Sequence, residues 1–164
     1  MSEAIKEARI AAGKDEVPVG CVVVHKGRII ARAHNQVESL IDPTAHAEML
    51  ALTSATNYFK TKWLNDSSLY VTIEPCSMCA GALVLARIKK VYFGAKDPKT
   101  GACGSVVNIV NNKKLNHRIK VTSGILEKEC GVLLKDFFSR IRSSHRAGSC
   151  TLTGSIAGKK KRKQ

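Results

Sequence analysis

A chain of 164 residues, 44% hydrophobic, with 27 Lys and Arg against 13 Asp and Glu, carries a formal charge of +14. That length suits one domain with a real core and no need of disulfide or metal staples, and four prolines and twelve glycines exclude a collagen-like or low-complexity body. Residues 1–139 hold a net +6, whereas residues 140–164 hold eight basic and no acidic side chains. The excess favours a polyanionic partner through phosphate attraction, the plainer alternative being a solubilising surface with a charged tail. Glu3, Lys6, Glu7 and Arg9 interrupt the apolar residues of the first segment, unlike a signal sequence, and the longest apolar runs, such as Val22 to Val24, have strand length. A soluble, cytoplasmic protein without a membrane partner is expected, its six cysteines being thiols in a reducing compartment.

In chain order, Ser2 to Ala12 places Ala4, Ile5, Ala8, Ala11 and Ala12 at helical spacing, with Gly13 as terminator. Val19 to His25 is rich in β-branched residues and reads as a strand buried on both faces. Lys26-Gly27 turns it into a hairpin partner over Arg28 to Ala33. Thr44 is the expected N-cap of a helix from Ala45 to about Phe59, with His46 in its first turn. Ser68 to Thr72 is a strand. Pro75 suits the first turn of an apolar helix over Cys76 to Arg87, and Val91 to Gly94 returns as a strand. A polar loop covers 95–104, part-helical structure is expected over Val106 to Leu115, and Lys120 to Ser123 is the last strand. Glu127 to Arg142 forms a final amphipathic helix, after which periodicity stops and residues 143–164, ending in a Lys159–Lys163 basic run, read as a disordered tail. This order specifies an α/β fold: a three-layer α/β/α sandwich around a mixed sheet of about five strands, formed by residues 1–142.

The chemistry concentrates in the stretch 43–79. His46-Ala47-Glu48 is followed by Pro75-Cys76-Ser77-Met78-Cys79. Cys76 and Cys79, three apart at a helix start, face one way, and the unpaired N–H groups there favour thiolates. His46, Cys76 and Cys79 supply three soft ligands for one Zn2+ per subunit, leaving a fourth position for water or hydroxide. His46 and Glu48 are two apart, so both serve one ion only if it lies over the helix end. Glu48 is then the proton shuttle of a hydrolytic reaction on an amino-substituted aromatic ring. The competing possibility is a closed structural site whose fourth ligand is His34, Cys103 or His117.

At these residues the chain resembles the zinc-dependent nucleobase deaminases, whose signature is His-x-Glu with Pro-Cys-x-x-Cys. The stretches EVPVGCVVV, HN (His34-Asn35), DPTAHAE, PCSMCAGALVLARIKKVYFGAKDPKTGACGS and NHRIKVTSGILEKECGVLLKDFF resemble the bacterial tRNA-specific adenosine deaminases over roughly Ile5 to Arg142. The resemblance implies a cytidine deaminase-like fold, a homodimer, and conversion of adenosine to inosine at the wobble position of an arginine tRNA, with the anticodon stem-loop as partner. It implies that Asn35 hydrogen-bonds the flipped purine, Asp97 contacts the ribose, Lys99 touches phosphate and Phe138 packs beside a flanking base. Pro98 departs from the small residues expected beside Asp97, and residues from Gly148 onward depart entirely. Two alternatives stand beside this reading: a guanine or cytosine deaminase acting on a free base or nucleoside, and a non-catalytic, zinc-stabilised RNA-binding module.

Overall fold

A computed structural model describes the backbone of residues 1–149 and the side chains of residues 1–144. Ten elements follow one another: α1 (Ser2–Gly13), β1 (Gly20–His25), β2 (Arg28–His34), α2 (Val37–Leu40), α3 (Ala47–Phe59), β3 (Ser67–Ile73), α4 (Ser77–Leu85), β4 (Lys90–Ala95), β5 (Lys120–Thr122) and α5 (Glu127–Ser149). The five strands form one mixed sheet in the order β2-β1-β3-β4-β5. The hairpin can form because Lys26 and Gly27 both adopt positive φ, 46° and 78°, the two-residue turn that matches strand twist. β1 then pairs antiparallel with both β2 and β3, while β3, β4 and β5 run parallel.

Because β1 is hydrogen-bonded on both edges, Cys21, Val22 and Val23 are fully inside, as an uninterrupted apolar run requires. Cys21, Val23, Leu69, Val71, Val91 and Phe93 form the core with Ala47, Ala51 and Leu52 of α3 and Ala80 and Leu83 of α4. Helices α1 and α5 cover the opposite face, joined to it through Ile5, Ala95 and Cys130. α1 approaches β1 so closely that a Cβ on Gly20 would collide with the Ala4 carbonyl and the Ala8 nitrogen. The expected three-layer sandwich with a mixed five-stranded sheet is therefore the observed one. No described helix is long and apolar enough to cross a membrane.

Several local expectations are corrected. Thr44 does not cap α3; its N–H and hydroxyl both donate to Asp42 Oδ1, at 2.8 and 2.7 Å, and the N-cap is His46 itself. Cys76, likewise, is the N-cap of α4 and Pro75 precedes it, while Arg87 (φ 56°) stops the chain short of the expected helix end. Residues 106–115 form turns instead of helix, because Asn108 and Asn112 accept backbone N–H groups of Asn111 and Lys114 with their side chains. A four-residue helix, α2, appears where no element was expected. Helix α5 continues to Ser149, past Arg142. The basic run Lys159–Lys163 lies outside the described residues.

Candidate metal centre and active site

The parallel strands β3 and β4 end on the same side of the sheet, and the chain's chemistry gathers above those ends. α3 and α4 begin there, so His46 and Cys76 sit as extended N-cap residues, with ψ near 150° and 176°, at two adjacent helix starts. Cys79 is one turn into α4 and fully buried. His46 Nδ1 lies 3.6 Å from Cys76 Sγ and 3.5 Å from Cys79 Sγ. All three donor atoms lie within 4.8 Å of one another, the one such cluster among the described residues.

The donor set fits zinc. One imidazole nitrogen and two sulfurs are its preferred soft ligands, and tetrahedral bonds of about 2.1 and 2.3 Å put neighbouring donors roughly 3.6 Å apart. A hydrogen bond from Cys79, then the His46 ring, hold the Cys76 thiol down to about 4, whereas sharing that proton with Cys76 and burial push Cys79 up. The Cys76 sulfur also raises the His46 ring. None of the three alternative fourth ligands joins the cluster. His34 is held by Glu7 and Lys14 at 3.0 and 3.1 Å, His117 bonds the Ile88 carbonyl at 2.7 Å, and the buried Cys103 thiol is pushed up to about 12, first by burial.

Glu48 is the second residue of α3 and only 3% exposed. Burial raises its carboxyl above the ordinary range, which suits a group that must both accept and release a proton. With His46 and Cys76 it lines a cleft of about 990 Å³, large enough for a nucleoside. Asn35, directly after β2, lines the same cleft. So do Asp97 and Lys99 from the loop after β4, and Phe138 with Phe137, Leu134 and Ile141 from α5. The structure thus brings together all eight residues singled out in the sequence.

Their roles in the cleft differ. The Asp97 carboxylate caps its own loop, accepting Lys99 N–H at 2.8 Å, Thr100 N–H at 3.2 Å and the Thr100 hydroxyl at 2.5 Å. Phe138 is 43% exposed and meets the buried Phe137 edge to face at 5.5 Å.

Two buried carboxylates were missed. Glu16, fully buried, accepts from Asn35 Nδ2 at 3.1 Å, Glu38 N–H at 3.3 Å, and the Ser39 N–H and hydroxyl at 2.7 and 2.8 Å. Glu74, 2% exposed, accepts the N–H groups of Asp97, Cys103 and Ser105 and the Ser105 hydroxyl. In each case burial alone would raise the carboxyl, but the converging donors outweigh it and keep the pKa below its ordinary value. A Cβ on Gly101 would stand 2.5 Å from the Glu74 carboxyl carbon, so only glycine leaves room for it. The visible signal in the sequence is an acid abutting an apolar strand: Glu16 before Val17-Pro18-Val19, Glu74 after Val71-Thr72-Ile73.

The MafB19-like deaminase family model matches residues 1–142. The chain is 49% identical over 153 residues to a tRNA-specific adenosine deaminase of Bacillus subtilis (strain 168), covering 93% of this chain and 95% of that one. It is 52% identical over 141 residues to the tRNA-specific adenosine deaminase of Aquifex aeolicus (strain VF5), covering 86% and 93%. Among solved structures, one from a study of A-to-I editing by tRNA:A34 deaminases at the wobble position of transfer RNA superposes with a TM-score of 0.79 at 44% identity. It covers 82% of this chain and 97% of its own.

Proposed function

The chain belongs to the MafB19-like deaminase family and, within it, to the bacterial tRNA-specific adenosine deaminases; from that premise we propose how its residues act and on what. The reaction is hydrolytic deamination of adenosine to inosine at the wobble position of a tRNA anticodon, on an arginine tRNA. The observation that carries it is the convergence of His46, Cys76, Glu48 and Asn35 on one nucleoside-sized cleft, with Cys79 buried against the first two.

His46 Nδ1, Cys76 Sγ and Cys79 Sγ would hold one zinc ion, three protein donors leaving room for water or hydroxide. Zinc supplies a lowered pKa for water and a Lewis acid beside the reacting ring carbon. Glu48 does the proton work: its carboxylate takes one proton from the attacking water and delivers it to a ring nitrogen of adenine, then takes the second from the hydroxyl now on the ring carbon and passes it to the amine, which leaves as ammonia. Water and adenosine give inosine and ammonia, and Glu48 ends as it began.

Asn35 offers its amide to the purine, Lys99 meets backbone phosphate, and exposed Phe138 packs beside a flanking base. Asp97 serves the ribose through the loop it caps, since its carboxylate oxygens already accept three donors within that loop. The protein works as a cytoplasmic homodimer. Leu85 on α4, 79% exposed, with exposed Trp63 supports an apolar surface for the second copy.

Mass spectrometry of an arginine tRNA incubated with the zinc-loaded protein tests the reading. Inosine at the wobble base alone is the expected product; unaltered tRNA, or deamination of free guanine or cytosine instead, overturns it.

A further inference from the structure

Asn35 has an amide whose two ends are nearly the same size, so packing alone does not decide which end a ligand meets. Something must set it, because the two orientations present different atoms. Glu16 is the one side chain described as hydrogen-bonded to that amide, and it is an ionised carboxylate with no proton to give. It therefore accepts only Asn35 Nδ2. The Asn35 backbone is fixed as well, its N–H donating to the Val19 carbonyl at 3.0 Å.

The remaining amide atoms are Oδ1 and one N–H. Oδ1 accepts from no described residue, yet no buried side-chain N or O lacks a partner among those residues, so Oδ1 opens to the cleft. One acceptor and one donor, side by side, match the adjacent donor and acceptor along the amino edge of adenine. An oxo-purine edge offers two acceptors and meets Oδ1 unfavourably. Glu16 is itself held by Ser39 and the Glu38 N–H of α2, so the short helix acts as its brace.

We infer that Glu16 is a positioning residue that sets which way the Asn35 amide faces, and through it the preference of the cleft for an amino-purine. The inference rests on Asn35 contacting the base, as proposed above. In Glu16→Gln the new amide can donate to Asn35, which is then free to turn its own N–H groups toward the cleft.

A double-mutant cycle on the zinc-loaded full chain, with an anticodon stem-loop RNA as substrate, tests this. Glu16→Gln is expected to lower kcat/KM about 10-fold, the worth of one misoriented buried hydrogen bond. In an Asn35→Ala background the same change should cost less than roughly twofold, because Glu16 has nothing left to orient. If Asn35→Ala alone leaves kcat/KM intact, the base contact fails and the positioning role with it. If Asn35→Ala is impaired but Glu16→Gln costs as much in that background as in the wild type, only the positioning role is overturned. Should Glu16→Gln not fold, Glu16→Asp, which keeps the charge but withdraws the acceptor, completes the same cycle.

Two readouts separate orientation from general loosening. In 15N-labelled, substrate-free protein the Asn35 side-chain amide proton held by Glu16 should exchange slowly with water, and lose that protection in Glu16→Gln; equal exchange in both overturns the inference. Ile88→Val loosens the core away from the cleft without touching Glu16 or Asn35, so it should keep kcat/KM within about twofold while lowering the melting temperature. A loss equal to that of Glu16→Gln means loosening alone explains the effect.

Discussion

His46 and Cys76 hold the same position in two different helices: each is the extended N-cap residue, and their donor atoms meet 3.6 Å apart. Neither cap is closed by a side-chain hydrogen bond. The partial positive charge of two helix starts therefore converges on the two sulfurs and favours their anionic form.

Removing the metal should undo this arrangement measurably. Dialysis against a strong chelator is expected to abolish inosine formation and lower the melting temperature, and stoichiometric zinc should restore both. Full activity at a zinc content near zero would refute the ligand assignment.

Glu48→Gln separates metal holding from proton transfer, because the amide keeps the shape and loses the base. Zinc content and stem-loop affinity should stay near wild type while the single-turnover rate falls about 100- to 10,000-fold. Near-normal turnover would remove Glu48 from the reaction.

The acid side of the stability profile should report Glu16. Its folded-state pKa lies below its ordinary value, since the donors of Ser39, Glu38 and Asn35 outweigh burial. Its contribution is then complete above the unfolded-state value of about 4.3 and is lost as pH falls through the lower folded-state value. At pH 7, Glu16→Gln should melt lower by about 1–2 kcal/mol of stability, and the gap to wild type should close once pH falls below about 4. A gap independent of pH would argue against a buried carboxylate there.

Lys99 should read phosphate without reading sequence. Lys99→Ala is expected to weaken stem-loop binding evenly across sequences and to flatten the log–log salt slope by about 0.7. Arg140 will not behave as a simple phosphate contact. It bonds Asp15 at 2.9 Å and the Ala12 carbonyl at 3.2 Å. Neutralising it should lower the melting temperature as well as RNA affinity, which a calorimetric scan beside the binding assay would show.

The cluster of His46, Cys76 and Cys79 was legible because a zinc site calls for particular residue types, and two of the three lie three apart in the chain. Strand β1 was legible because Val22 to Val24 is an unbroken β-branched run, and β3 because Leu69, Tyr70, Val71 and Ile73 supply β-formers. Glu16 and Glu74 were not, because what makes them matter is distant in the chain: Ser39 and Asn35 for one, Cys103 and Ser105 for the other. The expectation of helix over 106–115 failed for the opposite reason. Val106, Val107, Ile109 and Val110 imitate a periodic apolar face, while Asn108 and Asn112 capture the backbone locally. The position of Thr44 shows the same competition, with Asp42 taking the hydroxyl that the helix start would have used.

The Glu74 clasp also determines where this protein has room to change length. Residues 97–105 are stitched by side chain and backbone to the ligand Cys76, which forms a bridge with Gly101, and the Ala102 N–H reaches the Pro75 carbonyl. One added residue there would pull on a cysteine of the metal centre. Lys113 and Lys114, by contrast, sit exposed in a turn between the buried anchors Val110 and Ile119. A graft or affinity tag inserted between those two lysines would leave the reaction chamber undisturbed.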